Sequence, residues 1–123
     1  MAYDEARGQV VLFGGFDDSP TSAGPLADTW IWENGNWRQW QRGPSDPNPP
    51  AMWGHSMAYD AIRQKIVLFG GLGLGSSTWL WNGLGWEEPP YSPSWPNPRA
   101  HQTMAYDWSR GEVVLQGGQA HPS

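Results

Sequence analysis

One short segment of the sequence occurs three times, and this repetition limits the possible folds more than any other feature. Met-Ala-Tyr-Asp stands at 1–4, 57–60 and 104–107. In each copy an arginine follows the aspartate by three residues, and an apolar run then closes in a double glycine; these runs lie at 10–15, 66–71 and 113–118. So many matches in register predict an array of one structural unit.

The first two units also share a second half. The pattern Thr-Trp-apolar-Trp is followed by Asn-Gly and then by a further tryptophan, at 29–37 and at 78–86. The β-branched and aromatic runs are short and bounded by turn residues, and no apolar run keeps the 3.6-residue period of a helix. Asn-Gly favours a tight hairpin because both residues tolerate positive φ. Each unit is therefore predicted to contain four short strands, and the chain is predicted to be all-β.

Other repeated residues are interpreted as structural. Aspartate at the first position of the Asp-x-x-Arg turn can accept a hydrogen bond from the backbone two residues on. The double glycine predicts either positive φ or a backbone that approaches too closely for a Cβ atom. The repeated tryptophans, at 30, 32, 37, 79, 81 and 86, are expected to form the core between units. The residues assigned to the structural motif are Asp4, Arg7, Gly14, Gly15, Trp32, Trp37, Asp60, Arg63, Gly70, Gly71, Trp81, Trp86, Asp107, Arg110, Gly117 and Gly118.

This succession of strands and turns resembles the kelch repeat, and bacterial kelch repeats most closely. The resemblance implies a β-propeller in which each repeat forms one blade of four antiparallel strands. Blade 1 would cover about 1–41, blade 2 about 54–88, and half of blade 3 about 101–118. Gln102 stands at the position aligned with His55, and Arg99 is aligned with Met52.

The ring of such a propeller would be incomplete in this chain. The family's rings typically have about four to eight blades, whereas these 123 residues supply about two and a half. An uncovered blade face would leave large apolar side chains in water. We therefore expect the chain to be a fragment of a longer kelch protein; the alternative is an oligomer that completes the ring.

Composition and motifs argue against several classes of function. The chain has no cysteine, so it offers no thiolate nucleophile and no Cys-ligated metal. A net charge of −5 argues against nucleic acid as a partner, and no apolar run is long enough to span a bilayer. His55, His101 and His121 lack metal-type spacing, and no Gly-x-Ser-x-Gly motif is present. We predict no catalytic residue, no metal site and no cofactor.

The loops indicate where a ligand would bind. In an up-and-down blade the loops after the second and fourth strands share one end, and here these loops are long and variable: 16–27, 72–76, 41–53 and 88–100. Variable loops at one end of a repeat scaffold usually carry binding function. Their prolines are typical of spacers between blades, or of preformed loops that present aromatic side chains. The candidate ligand-binding residues are Trp53, His55, Tyr91, Trp95 and Arg99.

Two functions follow as expectations. The first is a non-catalytic module that recognises protein or glycan through the loops between blades, because exposed aromatic rings suit sugars and peptides. The alternative is the propeller part of a larger secreted enzyme, galactose oxidase-like or another kelch type, whose catalytic residues lie outside these 123 residues. The resemblance implies an extracellular or cell-envelope location.

Overall fold

The structure is a computed structural model, and it describes residues 1–73, 77–90 and 92–120. Every regular element in those ranges is a strand, which confirms the all-β prediction. The strands are β1 (Ala2–Asp4), β2 (Gln9–Phe13), β3 (Phe16–Asp17), β4 (Gly24–Pro25), β5 (Thr29–Glu33), β6 (Asn36–Gln39), β7 (Met52–Trp53), β8 (Ser56–Asp60), β9 (Lys65–Gly70), β10 (Leu72–Gly73), β11 (Ser77–Trp81), β12 (Trp86–Glu87), β13 (Arg99–Ala100), β14 (Thr103–Asp107), β15 (Glu112–Gln116) and β16 (Gln119–Ala120).

Three main sheets correspond to the three repeats. Sheet I has the order β1-β2-β5-β6, sheet II has the order β8-β9-β11-β12, and sheet III pairs β14 with β15. All pairings are antiparallel, and none of the sheets closes into a barrel. The predicted four-stranded units and the incomplete assembly are therefore both found. Three small pairs, β3-β4, β7-β10 and β13-β16, were not predicted.

The turn between the first two strands of each sheet is held by the repeated aspartate and arginine. Each aspartate forms an ion pair with the arginine three residues later, at 2.8 or 2.9 Å. The predicted bond to the backbone two residues on is present in sheets II and III, where Asp60 accepts from the Ile62 N–H and Asp107 from the Ser109 N–H, each at 3.1 Å. In sheet I the backbone carbonyl of Asp4 instead accepts from the Gly8 N–H.

The first two double glycines lie where one sheet meets the chain leading into the next. The first glycine of each pair has positive φ: 70° at Gly14, 83° at Gly70 and 77° at Gly117. A Cβ atom on Gly14 would lie 2.7 Å from the Met52 carbonyl oxygen, and one on Gly70 would lie 2.5 Å from the Arg99 carbonyl oxygen. Both of the predicted reasons for glycine therefore apply at Gly14 and Gly70.

Two hydrogen bonds recur at each junction between sheets. The second glycine donates its N–H to the same carbonyl: Gly15 to Met52 and Gly71 to Arg99, both at 2.9 Å. A side chain from the following sheet also reaches the carbonyl just before the double glycine. His55 Nε2 lies 2.7 Å from the Phe13 oxygen, and Gln102 Nε2 donates to the Phe69 oxygen over 2.7 Å. The leading segments of sheets II and III are thus fixed to the preceding sheet.

The core lies between sheets I and II, and one tryptophan links them. Trp86 of sheet II donates its indole N–H to the buried hydroxyl of Thr29 in sheet I, at 2.9 Å. The Phe13 ring meets the Trp86 ring edge to face, with centroids 5.5 Å apart. The other buried members of this core are Val11, Ile31, Met52, Met57, Ile66, Leu68, Trp79 and Trp81.

The repeated tryptophans are not all buried, contrary to the sequence-based expectation. Trp81 and Trp86 are 0% and 3% exposed, but the aligned Trp32 and Trp37 are 39% and 41% exposed. The two segments share the Thr-Trp-apolar-Trp pattern, and the difference in exposure comes from the neighbouring sheets. Sheet I covers the tryptophan side of sheet II, whereas no sheet of the described ranges covers the corresponding side of sheet I.

Replacing Gly70 by alanine tests the close approach between sheets. We expect Gly70→Ala to lower the free energy of unfolding by about 3 kcal/mol, because the methyl group would collide with the Arg99 carbonyl at a positive φ. Gly117→Ala is the matched control. Gly117 has a similar φ, but a Cβ there would meet no atom within 4 Å, so we expect a cost of about 1 kcal/mol. Urea denaturation measures both, and equal costs would contradict the proposed collision.

The His55 contact predicts a pH dependence of stability. Burial lowers the pKa of His55 below its usual 6.5, so the folded protein holds a neutral imidazole whose Nε2–H donates to Phe13. Below about pH 6.5 the unfolded chain binds the additional proton, and the free energy of unfolding falls as the pH decreases. His55→Gln should keep a donor, as Gln102 does, and flatten this decrease. Urea denaturation at about pH 7.5 and about pH 5 measures the free energy of unfolding of both proteins. An equal decrease between the two pH values in the original protein and in His55→Gln would refute the role of His55.

Candidate functional site

The long loops meet at one end of the sheets, as the strand order predicted. Leu26, in the loop after β2, accepts from the Met52 N–H at 3.1 Å. Asn48 donates its side-chain amide to the Ala27 carbonyl, also at 3.1 Å. The leading segment of sheet II also pairs with the loop that follows its own second strand, through β7 and β10. We call this end, formed by 16–27, 41–53, 72–73 and the described part of 88–100, the loop end.

Three aromatic side chains form a row on the loop end. The Trp53 ring lies between the rings of Phe16 and His101, with centroids 5.5 Å and 5.7 Å away. Both contacts are edge to face, with interplanar angles of 65° and 66°. Phe16 and His101 are exposed and Trp53 is half-buried. This aromatic row, defined as Phe16, Trp53 and His101, draws one ring from the chain of each repeat.

His101 has an unusual backbone conformation. Its φ is 63°, in the left-handed region, where the aligned Gly54 has a φ of 75°. The His101 N–H donates to the Gly54 carbonyl over 2.7 Å, so the leading segments of sheets II and III contact each other here. A residue with a Cβ in this conformation costs about 1 kcal/mol or more relative to glycine. The repeat can be built with glycine at this position, yet here it carries an imidazole beside Trp53.

A cleft with polar walls lies next to the row. It has a volume of about 500 Å³ and lies between the loop after β2 and the loop after β6. Phe16 pairs with Pro25, a cleft residue, so the row and the cleft adjoin. The side chains with hydrogen-bonding or aromatic groups along its wall are Asp28, Thr29, Gln39, Trp40, Gln41, Arg42 and Asn48. We call this set the polar cleft.

The charged groups near the row and the cleft are already oriented by other contacts. Asp17 accepts from the Ser19 N–H at 2.9 Å and from the Ser22 hydroxyl at 3.0 Å, and these hydrogen bonds lower the pKa of Asp17. Asp28 accepts from the Trp30 indole at 2.7 Å, and Arg42 donates to the Asp46 carbonyl at 3.2 Å. Each group keeps further hydrogen-bonding capacity for a ligand.

The residues selected from the sequence are distributed over several environments. Trp53 lies in the aromatic row, whereas His55 is half-buried against Phe13. The Arg99 guanidinium bonds to the Gly117 carbonyl at 3.1 Å and to Asn97. Trp95 lies in a turn closed by its own N–H and the Ser92 carbonyl, at 3.0 Å. Tyr91 and His121 lie outside the described residues. The ligand-binding roles of these residues stay predictions.

The row includes two residues that were not selected. His101 could have been found from its alignment with Gly54, because a histidine at a position that otherwise holds glycine is unusual in a repeat. Phe16 directly follows a double glycine, at a loop position that differs between repeats. No sequence pattern predicted the polar cleft, because the cleft forms only where two loops distant in sequence approach each other.

Within residues 1–73, 77–90 and 92–120, no three His, Asp or Glu side chains are grouped closely enough to hold a metal ion. The same ranges include no helix with the length and apolar character needed to cross a membrane.

Comparison with known proteins leaves the family open. No protein-family model matches the chain, and no curated protein matches it.

Proposed function

We propose that this chain is a non-catalytic binding module of the kelch type, and that its ligand is a glycan bound at the loop end. One observation carries the proposal: an exposed aromatic row adjoins a polar cleft on the end that holds the variable loops. The four-stranded antiparallel sheets, joined by the same contacts at both junctions, support the kelch assignment.

The chemistry of the loop end favours a sugar. A pyranose ring has apolar C–H faces and a rim of hydroxyl groups, so it needs both an aromatic surface and hydrogen-bonding partners. Phe16 and His101 offer exposed rings on the two sides of Trp53, and aromatic rings supply large rigid contact area. The amides of Gln41 and Asn48 in the cleft each have donor and acceptor groups for ligand hydroxyls.

Contacts between sheets also hold the ring-bearing residues of the loop end in position for a ligand. Trp53 follows Met52, whose carbonyl accepts from Gly15, and His101 precedes Gln102, whose amide bonds to Phe69. The ring-bearing residues therefore stand beside anchors between sheets. Binding residues that are positioned by packed neighbours lose less entropy when the ligand binds.

Trp53→Ala tests the binding role of the row. We expect at least about a 10-fold weaker affinity for the oligosaccharide identified from a glycan panel, because the middle ring of the row is lost. Trp108→Ala is the matched control: Trp108 is exposed and contacts Tyr106 in the turn between β14 and β15, away from the loop end. Titration calorimetry measures both affinities. Equal affinities in the two variants, or binding of peptides and of no oligosaccharide, would refute the glycan proposal.

His101→Gly separates a binding role from a structural one. Glycine relieves the positive φ, so we expect the free energy of unfolding to rise by about 1 kcal/mol. Affinity for the same oligosaccharide should fall about 3- to 10-fold as the imidazole is removed. His101→Asn, which tolerates the same φ, is the control for backbone strain. A stabilised variant with unchanged affinity would mean that the imidazole takes no part in binding.

A further inference from the structure

One face of sheet I is apolar and uncovered by any sheet of the described residues. Leu12, Trp30 and Trp37 line a cavity of about 370 Å³ on this face, and the Trp32 ring meets the Trp37 ring edge to face at 5.4 Å. We call this set of four residues the tryptophan face.

The equivalent face of sheet II is completely covered. Leu68, Trp79, Trp81 and Trp86 stand at the aligned positions and are buried. Their cover is the opposite side of sheet I, where Phe13 contacts the Trp86 ring and Thr29 accepts from its indole N–H. The chain itself therefore identifies what fits a tryptophan face: the opposite side of a sheet built from the same repeat.

The half of such a side that the first two strands of the repeat form is exposed on sheet III. Val114 and Gln116 are aligned with Val11 and Phe13, the residues of sheet I that pack against sheet II. Val114 is 48% exposed, whereas Val11 is 0% exposed. We call the outer side of sheet III, with Thr103, Ala105, Val114 and Gln116, the tail face. The Gln116 amide has an acceptor oxygen for an indole N–H, which in sheet I is the role of the Thr29 hydroxyl.

A further contact joins the turns of sheets I and II. Arg7 of sheet I donates to the Gln64 carbonyl over 3.0 Å and lies so close to Gly83 that a Cβ there would collide with it. In sheet III the position of Arg7 is held by Arg110, and the turn of sheet I that corresponds to the Gly83 turn contains Asn34 and Gly35. The side chains of Arg7, Arg63 and Arg110 are 32%, 65% and 72% exposed, so Arg7 is the most covered of the three, and a Cβ on Gly35 would meet no atom within 4 Å.

From these complementary ends we infer that two copies of this chain associate head to tail. The tryptophan face of one copy packs on the tail face of a second copy, and Arg110 of the second lies over the turn at Gly35 of the first. Because the two contacting surfaces differ, the contact is heterologous, and repeated copies form a closed ring or a filament. This association is independent of glycan binding, since the loop end does not include either face.

The test combines two variants that each remove one end. Trp37→Glu disables the tryptophan face and Val114→Glu disables the tail face; both side chains are partly exposed, so folding is expected to survive. Leu84→Glu, in an exposed turn outside both faces, is the control. Sedimentation velocity should give concentration-dependent oligomers for the original chain and the control, and monomers for each end variant alone.

Mixing the two end variants gives the decisive result. Head-to-tail contact predicts a 1:1 heterodimer, because one variant keeps an intact tail face and the other an intact tryptophan face.

Circular dichroism and the fluorescence of the buried tryptophans monitor folding, and Trp32→Lys replaces Trp37→Glu if the latter unfolds. A monomeric original chain at about 0.5 mM, where even a Kd near 1 mM would be detected, overturns the inference. Self-association of the Val114→Glu protein also overturns the inference, because it would mean that two tryptophan faces contact each other.

Discussion

The rest of the structure depends on one backbone hydrogen bond at each junction between sheets. In the first two double glycines, the second glycine donates this bond to the chain that leads into the next sheet. Gly15 makes it with Met52 and Gly71 makes it with Arg99. The preceding glycine makes room for it, because a Cβ there would overlap the same carbonyl oxygen. Bringing two backbones this close fixes the distance between sheets, and the Trp86 indole can then reach the Thr29 hydroxyl.

The same anchored segments carry the candidate binding residues. Trp53 directly follows the carbonyl that Gly15 contacts, and His101 directly precedes Gln102, which crosses to sheet II. A loop residue next to such an anchor has little freedom of position. The segment that leads into each of sheets II and III thus has two roles. It joins that sheet to the preceding one, and it carries an aromatic ring at the loop end. The strained φ of His101 is tolerated because the contacts around it determine the backbone.

Local patterns predicted most of the fold, and contacts between distant residues account for what they missed. The four strands of each of the first two repeats, the Asp-Arg turn and the glycines at 14 and 70 follow from short segments whose chemistry requires them. The exposure of Trp32 could not be predicted, since Trp81 stands at the same place in the Thr-Trp-apolar-Trp pattern and is buried because a sheet lies against it. The small pairs such as β7-β10 were missed because two-residue strands have no periodicity. The polar cleft and the Phe16 contact with Trp53 likewise depend on loops far apart in sequence.

Amide hydrogen exchange at Gly15 and Gly71, followed by NMR, tests the stacking of the three sheets most directly. Both amides should be protected nearly as strongly as amides in the centres of β2 and β9, since they open only when neighbouring sheets separate. Exchange at the rate of an unstructured chain at both glycines, with protection retained inside each sheet, would contradict it. That result would mean that the sheets fold individually without the junctions that form the loop end.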